Sequence, residues 1–398
     1  MLLGGVDSML PSHLEIVGGK GGICWDQDGN EYHDFVMGYG AVILGHAHDR
    51  VVKAISKQAA RGQLFPSPSS LHRELCQRLE HWYPWAGGSL FFKTGSEAVT
   101  AAIRLARAYT GRKRVIRCGF HGWHDIFMAR HRSWHQYNDV PKGKPVFPLG
   151  IMAEDVGAIE WIGDSIDMLD TIINASKDEV ACLVVDPIQL REPLACNLNS
   201  IAKIVSEAGA LLVLDEVKTG FRVGLSGTQG ILGVKADITV LSKGISNGSP
   251  LSAVVTRPEI IQLSSAAKIM GTYNSELTSV AAALATLEVL QEPESIPTLW
   301  KLGQYFIDGI NDIFRRCRLE RMAMAVPYRW PCMPHIWFRD NSHTAQKFKK
   351  HFFQKMVESR VLLLSNHPNF ICLEHTEAQI DEVLRRVERS CRVVLAGE

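Results

Sequence analysis

The chain has 398 residues and a formal net charge of +1, with 46% hydrophobic and 21% charged residues. A single hydrophobic core stops growing near about 250–300 residues, so we expect a globular protein of two domains. The near-neutral charge, without a block of lysine and arginine, argues against a nucleic-acid partner. Apolar stretches stay below the ~18 residues of a membrane span. Nine cysteines without a Cys-x-x-Cys spacing predict reduced thiols and a cytoplasmic location.

Helical and strand-like stretches alternate along the chain. A hairpin turn is predicted at 26–29, near the N-terminus. In the C-terminal part, helices are predicted near 299–318, near 344–360 and from Glu377, with strands at 335–338, 361–364 and 371–373. In the middle of the chain, short apolar runs predict strands at 90–92, 114–116, 182–185, 211–214, 238–241 and 253–255. This alternation predicts an α/β fold with a mostly parallel sheet covered by helices.

Two of these predicted strands lead to a lysine and to a carboxylate. The run 238–241 precedes Lys243, and the run 211–214 precedes Asp215. The carboxyl ends of parallel strands lie at one edge of a sheet, so the amine and the carboxylate would meet there. Such a pair suits a pyridoxal phosphate enzyme, in which a lysine forms a Schiff base and an acid keeps the pyridine nitrogen protonated. A solvated lysine at a strand end is the alternative.

Gly95 and Ser96 open a predicted helix with an apolar i, i+3, i+4 pattern that ends at Gly111. Free N–H groups at a helix start, beside the positive end of the helix dipole, suit a dianionic phosphate. The alternative is an ordinary helix cap by Ser96 in front of Glu97.

An aromatic residue and two histidines follow the strand predicted at 114–116. Phe120 could stack on a heteroaromatic cofactor, or it could pack in the core. His121 and His124 are three residues apart, and a second histidine cluster lies at 46–48. Neither cluster has the three or four ligands that zinc sites need, so we predict no metal site.

Together these motifs resemble the class III, fold-type I pyridoxal phosphate aminotransferases, and most closely their glutamate-1-semialdehyde aminomutase-like branch. The resemblance spans nearly the whole chain. It implies a large domain with a mostly parallel sheet at 56–295, which binds pyridoxal 5'-phosphate, and a smaller α/β domain from both termini, 1–55 and 296–398. The segments that carry the resemblance are 25–34, 45–48, 94–98, 120–125, 215–222, 237–250 and 271–272.

The resemblance also implies roles for individual residues. Lys243 would carry the Schiff base and move the substrate proton, and Asp215 would pair with the pyridine nitrogen. Val217 and Phe120 would pack on the two faces of the ring. Thr272 would reach the phosphate of the neighbouring subunit, which makes the enzyme a homodimer. The cofactor-binding residues implied are Gly95, Ser96, Phe120, His121, Asp215, Val217, Lys243 and Thr272.

The sequence departs from the aminomutase pattern where that branch binds its substrate. Residues 6–11 lack the arginine that helps to hold a carboxylate, Tyr39 replaces a tryptophan, and His367 replaces a glutamate. We expect Tyr39 and His367 to contact a substrate other than the tetrapyrrole precursor. Lys218 stands where many class III transaminases carry glutamine near the phenolic oxygen of the cofactor. A cation there could stabilise that oxygen, but we expect the hydrated ammonium of Lys218 to point to solvent.

These observations predict a homodimeric transaminase. It would move an amino group from an amino donor to an aldehyde or ketone acceptor, in specialised or surface-sugar metabolism. The alternatives are an aminomutase or an amino-acid epimerase, which would keep the nitrogen on one substrate, and a non-catalytic binding protein, which would lack turnover.

Overall fold

A computed structural model describes residues 14–128, 158–176, 178–190, 197–339 and 342–396. The chain divides into two compact units. One unit comprises both ends of the chain, up to Val52 and from Glu288, and the other runs from Lys53 to Leu287. We call them the terminal unit and the central unit. Residues 6–11, which lack the arginine of the aminomutase-like branch, lie outside the described residues.

The strands of the described residues, in chain order, are β1 (Ile16–Lys20), β2 (Ile23–Asp26), β3 (Glu31–Asp34), β4 (Gly88–Phe92), β5 (Arg114–Cys118), β6 (Ala158–Glu160), β7 (Val180–Val185), β8 (Leu211–Asp215), β9 (Ile238–Leu241), β10 (Ser252–Thr256), β11 (Ala323–Tyr328), β12 (Trp330–Phe338) and β13 (Val361–Leu362). The α-helices are α1 (Met37–Gly40), α2 (Asp49–Ala59), α3 (Ser70–Trp82), α4 (Gly95–Thr110), α5 (Asp125–Met128), α6 (Ile166–Ala175), α7 (Leu198–Glu207), α8 (Gly227–Leu232), α9 (Pro258–Ile261), α10 (Leu277–Leu290), α11 (Ser295–Arg316), α12 (His343–Glu358) and α13 (Glu377–Ala396).

The central unit is built on a seven-stranded sheet in the order β4-β10-β9-β8-β7-β5-β6. The strands from β9 to β6 pair in parallel, and β10 runs antiparallel to both of its neighbours. All residues of β7, β8 and β9 are buried, as expected for a sheet covered on both faces. The predicted α/β fold with a mostly parallel sheet is confirmed.

Alternate residues of the central strands pack into two different apolar clusters. Leu183 and Leu212 pack with residues of α6 and α7, whereas Val184 and Val213 pack with the buried face of α4. The helices therefore cover opposite faces of the sheet. Fully burying one Val or Leu side chain contributes about 1.5–3 kcal/mol, so this double cover fixes the strands and the residues that follow them.

The terminal unit holds a four-stranded sheet, β1-β2-β3-β13, and the β11-β12 hairpin. The predicted turn between β2 and β3 is present, and the Asp26 carboxylate accepts hydrogen bonds from the backbone N–H groups of Asp28 and Asn30. The strand predicted at 371–373 is wrong. The N–H of Ile371 donates to the carbonyl oxygen of Cys332 and that of Leu373 to the carbonyl oxygen of Ile43, so this segment bonds to two separate segments and forms no ladder.

Within the described parts of the chain, no helix is both long enough and apolar enough to cross a membrane.

Candidate active site

Three neighbouring strands of the central sheet lead to charged residues at one edge. β8 pairs in parallel with both β7 and β9, and its last residue, Asp215, lies opposite Val240. Asp186 directly follows β7, and Lys243 follows β9 after one residue. Because these strands are parallel, Asp186, Asp215 and Lys243 reach the same edge of the sheet.

Asp215 is held by a buried histidine. Its Oδ2 lies 2.8 Å from His121 Nδ1, and its Oδ1 accepts a hydrogen bond from the N–H of Val217 at 3.1 Å. Both side chains are almost fully buried, at 4% and 0% exposure. A buried carboxylate needs such partners, so His121 fixes the orientation of Asp215.

Lys243 lies where the chain turns sharply after β9. Its backbone φ of +46° is in the left-handed region, which costs a non-glycine residue roughly 1–2 kcal/mol. Lys243 is half-buried as a residue, but its amine is enclosed by protein atoms. The pKa of Lys243 is lowered to about 7, mainly by burial and in part by the nearby Lys218 ammonium. The carboxylates of Asp186 and Asp215 oppose this lowering. Near neutral pH a large share of the amine is therefore unprotonated and nucleophilic.

Lys218 does not point to solvent, so that expectation was wrong. Its Nζ lies 2.6 Å from Oδ2 of Asp186, and the two side chains are 10% and 2% exposed. Burial raises the pKa of Asp186, and the Lys218 ammonium opposes the rise. Lys218 therefore forms an ion pair with a buried carboxylate in place of the hydration that we expected for its ammonium.

The start of α4 is capped by Thr94 and not by Ser96. The Thr94 hydroxyl accepts a hydrogen bond from the N–H of Glu97 at 3.3 Å, and the Glu97 carboxylate accepts one from the N–H of Thr94 at 2.8 Å. This reciprocal pair is a capping box. The ordinary-cap interpretation of Ser96 is therefore wrong, and Gly95 and Ser96 lie in the first turn, where N–H groups lack helical partners.

Two glycines bring other segments close to this helix start. A Cβ on Gly95 would lie 3.1 Å from Val217 and 3.7 Å from Ser242, the residue before Lys243. A Cβ on Gly122 would overlap the hydroxyl of Ser96 and lie 3.0 Å from its Cα. The start of α4, the segment after β8 and the loop after β5 therefore lie close together.

The remaining predicted residues lie as follows. Phe120 is half-buried in the loop before His121. Thr272 is exposed and begins a short 3₁₀ helix, Thr272–Ser275. Tyr39 and His367 belong to the terminal unit. Their rings lie edge to face, with 5.7 Å between the ring centroids.

His121 and His124 do not share a ligand. His121 contacts Asp215, and His124 Nδ1 lies 2.7 Å from the hydroxyl of Thr100. Among the residues that the structure describes, no group of three or more His, Cys, Asp or Glu side chains could hold a metal ion.

Sequence reasoning missed Asp186, Lys218 and Gly122 as parts of this site. Asp186 carried a usable signal, because it is the polar residue directly after a predicted strand, as Asp215 is. Its pairing with Lys218 carried no signal, because the order of the strands in the sheet brings the two residues together.

Comparison with known proteins identifies the family. The profile described as aminotransferase class-III matches residues 7–389. The chain belongs to the class-III aminotransferases. It is 36% identical over 297 residues to a 2'-deamino-2'-hydroxyneamine transaminase of Streptomyces kanamyceticus, covering 74% of this chain and 71% of that protein. It is 31% identical over 388 residues to a glutamate-1-semialdehyde 2,1-aminomutase of Methanocella arvoryzae, covering 93% and 89%.

A solved structure has the same fold. The PLP internal aldimine form of the FumI protein of Sphingopyxis sp. MTA144 superposes with a TM-score of 0.86 at 24% identity, covering 100% of this chain and 93% of that one. The chain is a fold-type I, pyridoxal phosphate-dependent transaminase. The residues described above fit that cofactor, since they provide a reactive amine, an oriented carboxylate and a helix start whose first N–H groups lack helical partners.

We predict that Gly122→Ala weakens pyridoxal phosphate binding by at least about tenfold, because the new methyl group pushes the loop away from Ser96 at the start of α4. Gly111→Ala is the matched control, since Gly111 also has a left-handed φ of +68° but its Cβ would meet no atom within 4 Å. It should reduce stability by about 1 kcal/mol and leave cofactor affinity unchanged. Equal affinities of the two variants, measured by absorbance titration of apoprotein, would contradict the role of this contact.

We also predict a pH dependence for the amine of Lys243 in the apoprotein. Only the unprotonated amine reacts with an acylating reagent, and its pKa is about 7, so the reaction rate should rise with pH around a midpoint near 7. An ordinary lysine has its midpoint near about 10.4. Mass spectrometry of the peptide that contains Lys243 measures the rate, and a midpoint at the ordinary value would show that the amine is not desolvated.

Proposed function

We propose that this transaminase transfers an amino group from an amino donor to the aldehyde or ketone of a hydroxylated acceptor without a carboxylate, in specialised or surface-sugar metabolism. The observation that carries the reaction type is the buried amine of Lys243 beside the Asp215–His121 pair. The similarity to a transaminase named for a neamine derivative supports this class of acceptor.

The roles of the site residues follow from their chemistry. When bound, pyridoxal phosphate withdraws electrons from the substrate carbon and so makes its proton acidic. Lys243 Nζ takes up that proton and returns it, which a pKa near neutrality allows in both directions. Asp215, oriented by His121, stabilises positive charge on the pyridine nitrogen. The first N–H groups of α4, at Gly95 and Ser96, bind the phosphate, and Val217 and Phe120 pack against the ring.

Tyr39 and His367 are proposed to bind the acceptor. Their rings contact each other, and the carbonyl oxygen of His367 accepts a hydrogen bond from His335 Nδ1 at 3.0 Å, which limits the movement of this segment. Neither side chain is an arginine that would hold a carboxylate with two parallel hydrogen bonds. Residues 6–11 also contain no arginine, so they offer no such partner for a carboxylate. Rings with hydrogen-bonding groups suit hydroxylated acceptors.

The test is a two-step assay on holoenzyme. Each candidate amine is added alone, and loss of the visible absorbance of the pyridoxal form identifies the donor. Carbonyl compounds with and without a carboxylate are then offered to the aminated enzyme. We expect carbonyl compounds without a carboxylate to restore the absorbance fastest, and Lys243→Ala to abolish the cycle. A preference for carboxylate-bearing acceptors would contradict the proposed acceptor class.

A second candidate function is an intramolecular aminomutase, favoured by the similarity to glutamate-1-semialdehyde 2,1-aminomutases. The same assay separates the two functions. An aminomutase would isomerise glutamate 1-semialdehyde without a second substrate, whereas the transaminase needs both partners.

The enzyme is proposed to be a homodimer in which Thr272 serves the site of the neighbouring subunit. Thr272 is exposed in the single chain, and Met270 and Tyr273 beside it are 77% and 63% exposed. A groove of about 480 Å³ adjoins this segment and is lined mainly by apolar side chains, Phe65 and Phe91 among them. An apolar surface of this kind is typical of an interface between subunits.

A cytoplasmic location remains a proposal, supported by the eight cysteines within the described ranges, all of which are free thiols.

Mixed dimers test the shared site. A Thr272→Ala homodimer should bind the cofactor roughly ten- to a hundredfold more weakly, because a hydrogen bond to a charged group contributes about 1.5–3 kcal/mol. A mixed dimer of one Lys243→Ala chain and one Thr272→Ala chain then regains one intact site. We expect it to match a mixed dimer of Lys243→Ala with wild type in activity and cofactor affinity. Activity at the level of the Thr272→Ala homodimer would place Thr272 in its own subunit's site.

A further inference from the structure

Lys218 and Asp186 form an ion pair inside the active-site edge of the sheet. Their 2.6 Å contact joins the segment after β8 to the end of β7, and neither side chain exceeds 10% exposure. Asp186 is fixed further, because its N–H donates to the carbonyl oxygen of Cys118 at 2.9 Å and its Oδ1 accepts from the N–H of Ile188 at 3.3 Å. A buried ion pair adds little to stability once desolvation is counted, so its position suggests another role.

The charged groups that face the amine of Lys243 come from two neighbouring segments, at the ends of β8 and β7. Lys218 and Arg222 follow β8, Asp215 ends it, and Asp186 follows β7. His121, from the loop after β5, faces Asp215. The carboxylate of Asp215 is engaged with His121, and that of Asp186 with Lys218. Lys218 is thus a positive charge held in place near a second amine.

We propose that Lys218 is a positioning residue of the active site, which Asp186 holds so that its fixed positive charge keeps the neighbouring Lys243 amine unprotonated and reactive in neutral solution. The proposal rests on the proposed function of Lys243 as the reactive amine. It assigns Lys218 no contact with cofactor or substrate, and it explains why a lysine occupies a nearly buried position beside a catalytic lysine.

The direction of the effect can be worked out for each variant. In Lys218→Met, Asp186 loses its partner and either stays ionised or takes up a proton. If it stays ionised, Lys243 loses a repulsive neighbour and keeps an attractive one. If it is protonated, both influences vanish, and the influence of Lys218 is the larger of the two. The pKa of Lys243 rises in both cases. In Lys218→Arg the positive charge is kept, so the pKa of Lys243 stays the same.

The experiment measures acetylation of Lys243 by acetic anhydride in apoprotein as a function of pH, with mass spectrometry of the labelled peptide. We expect Lys218→Met to raise the midpoint by on the order of one pH unit, which makes labelling at pH ~7 roughly tenfold slower or less. Lys218→Arg, which keeps the charge, should preserve the midpoint. Lys203→Met is the matched control, because Lys203 pairs with Glu207 at 3.8 Å on the surface.

Folding is checked by circular dichroism and by the melting temperature of each variant. If Lys218→Met does not fold because it leaves Asp186 unpaired, the double variant Lys218→Met/Asp186→Asn removes both charges and should still raise the midpoint slightly. An unchanged or lowered midpoint in Lys218→Met overturns the role of Lys218. A wild-type midpoint at the ordinary lysine value overturns the proposed function of Lys243 as well, so the two failures are distinguishable.

Discussion

The active site depends on the burial of opposite charges at one edge of a parallel sheet. Two ammonium groups, on Lys218 and Lys243, share this edge with the carboxylates of Asp186 and Asp215. Removing such charges from water is unfavourable unless each has a partner. Asp186 pairs with Lys218 and Asp215 with His121. Within the described ranges, Lys243 is the member of this set for which no ion pair is found, so its amine stays available for reaction.

Parallel strand pairing is what makes this arrangement possible. In β7, β8 and β9 every residue is buried between covering helices, so the strand positions are fixed and so are the residues that follow them. The N-terminus of α4 lies close to the segments that follow β8 and β5. Gly95 allows close approach to Val217, and Gly122 allows close approach to Ser96. The helix start that would hold the phosphate therefore lies near the segment that carries the reactive amine, since a Cβ on Gly95 would also contact Ser242, the residue before Lys243.

The sequence predicted the central sheet well because its strands are apolar runs that end in polar residues, and burial on both faces requires that pattern. It failed where strand character depends on a distant partner. The three residues of β6 carry too short a pattern, and the apolar segment 371–373 bonds to two different segments without forming a ladder. The same limit applies to the site. Lysine is ordinarily hydrated, which predicts an exposed Lys218, and only the order of strands in the sheet places Asp186 beside it.

The buried edge of the sheet does not by itself separate a transaminase from an aminomutase. In either reaction the proposed roles are the same: Lys243 would move a proton at the substrate carbon and Asp215 would stabilise charge on the cofactor, so both reactions need the same machinery. The outcomes differ in whether the deaminated product leaves before the second amino transfer, which depends on how tightly its other groups are held. This fits the finding that relatives of both kinds match the chain at comparable identity, 36% and 31%. The departures at Tyr39 and His367, both in the terminal unit, are therefore where the distinction should be sought.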